Sequence, residues 1–255
     1  FQVDRGGSYN TETPVVLTLF AASSLIIPIV VRRGVIGRAA FMILLVICPT
    51  LFSGHIGSDM TWTERIASDG IAEWVERLLL NGTYPLMPWF SYVLLGGLLA
   101  EIGENSGVAR ASVGFGMMFT LLTIVFSLNQ DVHWALTEGS AILTFFPAST
   151  AFIIVSMSIV ILVKILLFRV EDLIGSEGPP ILGHLEYAGR MSLTVYVGHF
   201  VILGLFVGYY RGEDFRLLGS LLVTLVHAMV WIPIASYYHG KFGHYSPEGM
   251  IKSFS

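Results

Sequence analysis

Residues 81–101 read NGTYPLMPWFSYVLLGGLLAE. From Tyr84 to Ala100 the stretch has close to the roughly 20 apolar residues that a bilayer core demands of a helix. It nevertheless opens with Pro85, Pro88 and Trp89, carries the pair Gly96-Gly97 and stops on a carboxylate, Glu101. Prolines fit the start and first turn of a helix, where the amide has no intrahelical partner. Tyr84 and Trp89 suit the membrane interface, and a glycine pair lets a second helix approach closely. Glu101, with Glu104, then marks an exit into water. The stretch reads as a transmembrane helix with a shaped start. Asn81-Gly82-Thr83 also matches the glycosylation pattern, and a tight Asn-Gly turn explains it equally well.

The rest of the chain has the same solvent. Apolar residues make up 54% of it and charged residues 13%, about half of the roughly 25% usual in soluble domains. Apolar runs of similar character occur at 14–31, 39–52, 111–128, 148–163, 191–210 and 217–238. With 84–100 they predict an all-α fold: a polytopic transmembrane helical bundle of about seven spans forming a single domain over residues 1–255. The second run is short unless Arg38 snorkels from its end. The formal charge of −4 and the scattered basic residues leave no footprint for nucleic acid. The only cysteine, Cys48, lies beside Pro49 in an apolar run, which excludes an internal disulfide and a thiol metal cluster and points to packing.

Lysine and arginine orient the spans. Arg32, Arg33, Arg38, Arg110, Lys164, Arg169, Arg190, Lys241 and Lys252 fall on one side; Arg5, Arg65, Arg77, Arg211 and Arg216 fall on the other. The richer side is expected to be cytoplasmic, which places the N-terminus outside and the C-terminus inside a plasma membrane, by this reading a bacterial inner membrane. No signal peptide is visible in the residues from Phe1 onward, so an outside start predicts further spans upstream.

Between the second and third spans lies TWTERIASDGIAEWVERLLL, residues 61–80. Trp62, Ile66, Trp74 and Leu78 recur at helical spacing against Glu64, Arg65, Asp69, Glu73, Glu76 and Arg77, the pattern of one amphipathic helix on the membrane surface. Thr61 and Glu64 have the spacing of a capping box, and Ser68-Asp69-Gly70 is a natural break. The segment is either a packed external helix or a lid over an outward cavity.

The residues suited to chemistry concentrate in EYAGRMSLTVYVGHF, residues 186–200. Arg190 sits where a helix enters the bilayer, and Tyr196 and His199 share a face one to two turns deeper, accompanied by Ser192, Thr194 and Gly198. An ionisable group inside a span is costly and faces protein or a wet cavity. His199 is therefore a candidate base, the alternative being a neutral imidazole hydrogen-bonded between helices. His227 lies in the middle of the next span, and two such imidazoles are the ligand set of a bis-histidine haem. That needs both rings at one level across a ring-sized gap, so haem is not expected from a single pair. His55, His133, His184, His239 and His244 fall in predicted loops without ligand spacing, and no metal site is expected.

Two motifs carry a resemblance. TYPLMPWFSYVLLGGLLAE resembles the "PL-x-PW … LLG" helix start, and GRMSLTVYVGHF the "G-R-x-S-L-x-x-Y-x-x-H" span, of YeiB-like membrane proteins and their relatives around heparan-alpha-glucosaminide N-acetyltransferase. The likeness spans roughly residues 10–250 and matches the C-terminal portion of such proteins. It implies transfer of an acyl group from cytoplasmic acyl-coenzyme A to an extracytoplasmic saccharide or envelope acceptor. Pro85, Pro88 and Trp89 correspond in the third span, and Gly189, Arg190, Ser192, Leu193, Tyr196 and His199 in the sixth. By the resemblance Arg190 meets coenzyme A phosphates, Tyr196 and His199 line the channel with Trp89 at its edge, Ser192 joins the binding residues, and His199 is the catalytic base. The family's proposed catalytic histidine follows a "D-x-x-R-G" pattern, and Asp4-Arg5-Gly6 lacks the helix and histidine that should follow it. The rival expectation is accordingly a non-catalytic integral subunit of a larger membrane complex, or a homo-oligomer, built on the same scaffold. A small-solute transporter lacks its paired broken helices.

Overall fold

In the computed structural model the described residues are 13–103, 106–174, 180–209 and 217–253. Asp4-Arg5-Gly6, Glu104, Arg211 and Arg216 lie outside them. All seven apolar runs are helical: α1 (Val16–Val31), α2 (Val35–Leu51), α5 (Leu86–Ile102), α6 (Gly107–Gln130), α7 (Thr150–Ile174), α9 (Ser192–Tyr209) and α10 (Leu217–Phe242). The fold is a helical membrane bundle. Among the described residues, by length and composition alone, three helical stretches suffice to cross a bilayer, Gly107–Gln130, Thr150–Ile174 and Leu221–Phe242, and a fourth span arises if the bent pair Ile71–Asn81 and Leu86–Ile102 is counted as one. The described residues divide into two compact units, 13–170 and 171–253.

In the larger unit α5 is the central helix. Leu86, Phe90 and Leu94 pack with Leu19 and Val30 of α1 and Leu45 of α2. Leu95 and Leu99, on another face, join Val46, Val113, Ile153, Met157 and Ile161. A helix buried on two sides needs apolar residues all round, which explains why residues 86–100 show no polar stripe.

The prolines act one step later than the sequence suggests. Pro85 flanks the helix start, but Met87 has an extended backbone (φ −98°, ψ 111°) and the Met87–Pro88 bond is cis, so the continuous helix runs from Pro88. A residue before proline is pushed out of the helical region by the ring. At the other end Arg38 of α2 forms an ion pair with Glu101, so this carboxylate meets a guanidinium rather than water alone. Gly96 and Gly97 do not serve close packing: a Cβ added at either meets nothing within 4 Å among the described residues. Gly116 serves it instead, because a Cβ there would fall 1.7 Å from the Ser158 hydroxyl of α7. Such near approach supplies the van der Waals contact that holds helices together where lipid removes the hydrophobic drive.

The surface helix divides at its glycine. α3 (Trp62–Ile66) ends at Ala67, and α4 (Ile71–Glu76) starts after Gly70, whose φ of 100° suits a residue without a Cβ. A π turn over Arg77–Asn81 follows. The capping box is present: the Thr61 N–H donates to Glu64 Oε2 (2.7 Å) and the Glu64 N–H to Thr61 Oγ1 (3.3 Å). Between α6 and α7 the chain coils once, pairing β1 (His133–Leu136) in parallel with β2 (Ala141–Thr144).

In the smaller unit, residues 180–190, expected to be a loop, form α8 (Pro180–Arg190), which packs on α10. His184 and His239, also assigned to loops, lie on these two helices. His184 Nδ1 is 2.6 Å from the Ser236 hydroxyl, and His239 stacks on Tyr187 with ring centres 4.6 Å apart. A short helix, α11 (Pro247–Ser253), follows α10.

Candidate functional site

Of the side chains proposed from sequence, Arg190, Ser192, Tyr196 and His199 lie in the smaller unit and Trp89 in the larger. Arg190 ends α8 and reaches Glu186, one turn back, at 2.5 Å; the two side chains are 62% and 59% exposed. An ion pair this open contributes little, and the guanidinium can exchange its partner. Ser192, exposed, opens α9.

Thr194 is held from α11. Its N–H donates to Glu248 Oε1 (2.8 Å) and its hydroxyl to Oε2 (2.5 Å), so a carboxylate satisfies free amides at a helix start, where the helix dipole favours negative charge. Burial pushes the Glu248 carboxyl up, but the bonds from Thr194 outweigh it and hold the group below its ordinary value. The local signal for α11 was present: Ser246 accepts the Gly249 N–H (3.0 Å) as an N-cap, and Pro247 fills the first turn. Its target, 54 residues away, was not legible.

Deeper on α9, the Tyr196 and His199 rings meet edge to face at 5.4 Å, and the His227 ring of α10 stands 6.3 Å from His199. Trp231 Nε1 donates to His227 Nε2 at 3.3 Å, which leaves the proton of a neutral His227 on Nδ1. The Trp231 indole covers Gly198, where a Cβ would fall 2.4 Å from Cη2. Sequence reading did not single out Trp231, although its place four residues after His227 puts both on one face. Tyr196, His199, His227 and Trp231 are all half-buried. Among described residues the ring contacts of His199 are to Tyr196, to Phe200 at 4.1 Å and to His227. The group is an imidazole beside a phenol within a membrane helix, backed by a second imidazole whose Nε2 is already engaged.

Trp89 sits among aromatic rings. Tyr84 lies at 5.4 Å, Tyr92 stacks at 5.6 Å, and Phe145 and Phe152 stand at 5.1 and 6.2 Å. Its indole N–H is buried without a hydrogen-bond partner among the described residues, and the Tyr92 hydroxyl bonds Ser156 of α7.

The cap of the larger unit, residues 57–81, holds what the sequence placed on an exposed polar face. Arg65 is 2% and Arg77 7% exposed. Arg65 donates to the carbonyls of Gly57 (2.5 Å) and Asn81 (2.8 Å); Arg77 donates to the Ala67 carbonyl (3.2 Å), the Asn81 side chain (2.8 Å) and Glu73. The broken helix leaves carbonyls without intrahelical partners, and a fork of five donors turned inward satisfies them. Burial, foremost, lowers the Arg65 pKa from its ordinary value. Asn81 is buried too, its amide donating to Glu76 at 2.8 Å, so this side chain is a strut of the cap and is not presented for glycosylation. Around these groups lies an open depression of about 560 Å3, lined by His55, Asp59, Met60, Glu64, Glu73 and Glu76 among others.

No curated protein and no solved structure matches the chain. Residues 96–244 match the family of membrane proteins described as "Protein of unknown function (DUF418)". That stretch is more than half of the chain and contains Arg190, Tyr196, His199, His227 and Trp231, whereas Trp89 and the cap precede it; the chain belongs to this family.

Proposed function

We propose that the chain is the C-terminal part of a membrane acyltransferase-like protein that moves an acyl group from cytoplasmic acyl-coenzyme A to an extracytoplasmic saccharide or envelope acceptor. The observation that carries this reading is the Tyr196–His199 pair on one face of an apolar helix. His199 takes the proton of the acceptor hydroxyl or amine as its oxygen or nitrogen attacks the thioester carbonyl. The carbon–sulfur bond breaks, and coenzyme A leaves as a thiolate that receives that proton. Tyr196 donates to the developing oxyanion. Arg190 exchanges Glu186 for a phosphate of coenzyme A, whose oxygens match its fork of donors. Ser192 adds a hydroxyl at the same end of α9.

The test is transfer of radiolabelled acetyl from acetyl-coenzyme A to glucosamine in proteoliposomes. His199→Ala should lower the rate by about 10²-fold or more with folded yield unchanged. A wild-type chain that transfers nothing, or a variant of normal rate, defeats the reading. A second reading, a non-catalytic subunit of a larger complex, is favoured by the open Gly96-Gly97 face of α5, which is what an additional helix requires. Cysteine cross-linking from Gly97 to a partner helix, in a chain without transferase activity, would establish it.

A further inference from the structure

We propose that the groove between the end of α1 and the start of α2 binds one anionic phospholipid. The groove encloses about 390 Å3 and is lined by Ile29, Val30, Arg33, Gly37 and Phe41, at the small end of the roughly 300–1,000 Å3 of ligand sites. Its walls are apolar. Val30 is 8% exposed and joins the core, Phe41 packs edge to face on Phe90 at 6.2 Å, and Ile29 is 64% exposed on the open side. Such a trough suits a hydrocarbon chain. Gly37 keeps it open, because a Cβ there would already stand 3.3 Å from the Arg33 Cβ.

The mouth has the opposite chemistry. Arg33 lines it and Arg32 precedes it at the end of α1; both are exposed and have no acidic partner among the described residues, whereas Arg38, one turn into α2, is committed to Glu101. α2 starts on Gly34, which has no side chain to cap it, and its first turn carries no acid. Two arginines without acidic partners, in the turn that leads into uncapped amides, complement a phosphodiester. In a membrane-embedded hairpin the ligand that joins this charge to an acyl chain is a lipid of the leaflet at that end. Charge and groove together distinguish an anionic lipid from a zwitterionic one, whose own cation would face the arginines.

The experiment uses the full chain in dodecylmaltoside, titrated with dioleoyl-phosphatidylglycerol, dioleoyl-phosphatidylcholine or sn-glycerol 3-phosphate and read by native mass spectrometry. Phosphatidylglycerol should bind one to one and at least about tenfold more tightly than phosphatidylcholine. Arg32→Ala/Arg33→Ala should abolish that preference, and Arg110→Ala, an exposed arginine elsewhere, should leave it intact. Gly37→Leu should weaken phosphatidylglycerol binding with both arginines present. Equal affinity for the two lipids overturns the proposal, as does a preference that survives the double substitution. Glycerol phosphate binding as tightly as the lipid overturns it too, since the groove would then contribute nothing.

Discussion

The cap of residues 57–81 and the α9–α10 face use polar side chains in opposite ways. In the cap, Arg65 and Arg77 turn inward and spend their donors on the carbonyls and side chains of a broken helix. On α9, Arg190 stays out on a single exposed pair, and His199 is held by ring contacts beside Tyr196. The difference lies in the backbone. Where chain breaks leave carbonyls unsatisfied, a guanidinium is absorbed as structure. Where a helix is continuous, its own amides and carbonyls are paired and the polar side chain remains available.

The substitution that would break this contrast most decisively is Arg65→Met. It strips donors from buried carbonyls and should cost about 3 kcal/mol or more, read as loss of helical circular dichroism on heating in detergent. Arg190→Met should change stability by no more than roughly 0.5 kcal/mol; equal effects would erase the distinction. Next in size, Gly198→Leu must displace the Trp231 indole and should cost about 1–3 kcal/mol, while Gly96→Leu, which meets nothing, should be near neutral in the same assay. Removing the Arg38–Glu101 pair by Arg38→Met should cost about 1 kcal/mol, since Glu101 is half exposed and solvent screens it. A loss as large as that of Arg65 would mean that the loop side is built like the cap.

The smallest effect concerns acid. The Thr61 backbone N–H, and then its hydroxyl, bond the Glu64 carboxylate and lower its pKa from the ordinary 4.5. A carboxyl depressed in the folded state contributes stability that is fully present above the unfolded pKa and is lost as pH falls through the folded one. Protease cleavage within residues 61–70 should therefore rise below about pH 4.5, and Glu64→Gln should raise it at neutral pH and flatten that acid response. A profile identical to wild type would show that the capping box does not hold the cap.

Local signals were legible because they act within a few residues. The Thr61–Glu64 box and the break at Ser68-Asp69-Gly70 depend on backbone groups one turn away, and the structure has both. The Tyr196–His199 face follows from three-residue spacing in the same way. Gly96-Gly97 misled because small residues permit close approach without specifying which neighbour arrives. The loop expectation fails at His184 because α8 is polar on one side and takes its support from α10, and at His239 because α10 continues past the apolar run that ends at 238.

By itself the sequence determined the solvent of this protein, the helical character of its seven apolar runs, and the faces on which its histidines and tyrosines fall, because hydropathy and helical period are properties of neighbouring residues. Only the tertiary structure decided that Arg65 and Arg77 point inward, that Arg38 meets Glu101, that Glu248 caps α9, and that Trp231 closes over Gly198 beside His227. Those partners lie on distant segments. Which unsatisfied carbonyl, amide or gap a side chain finds depends on where the other helices come to rest.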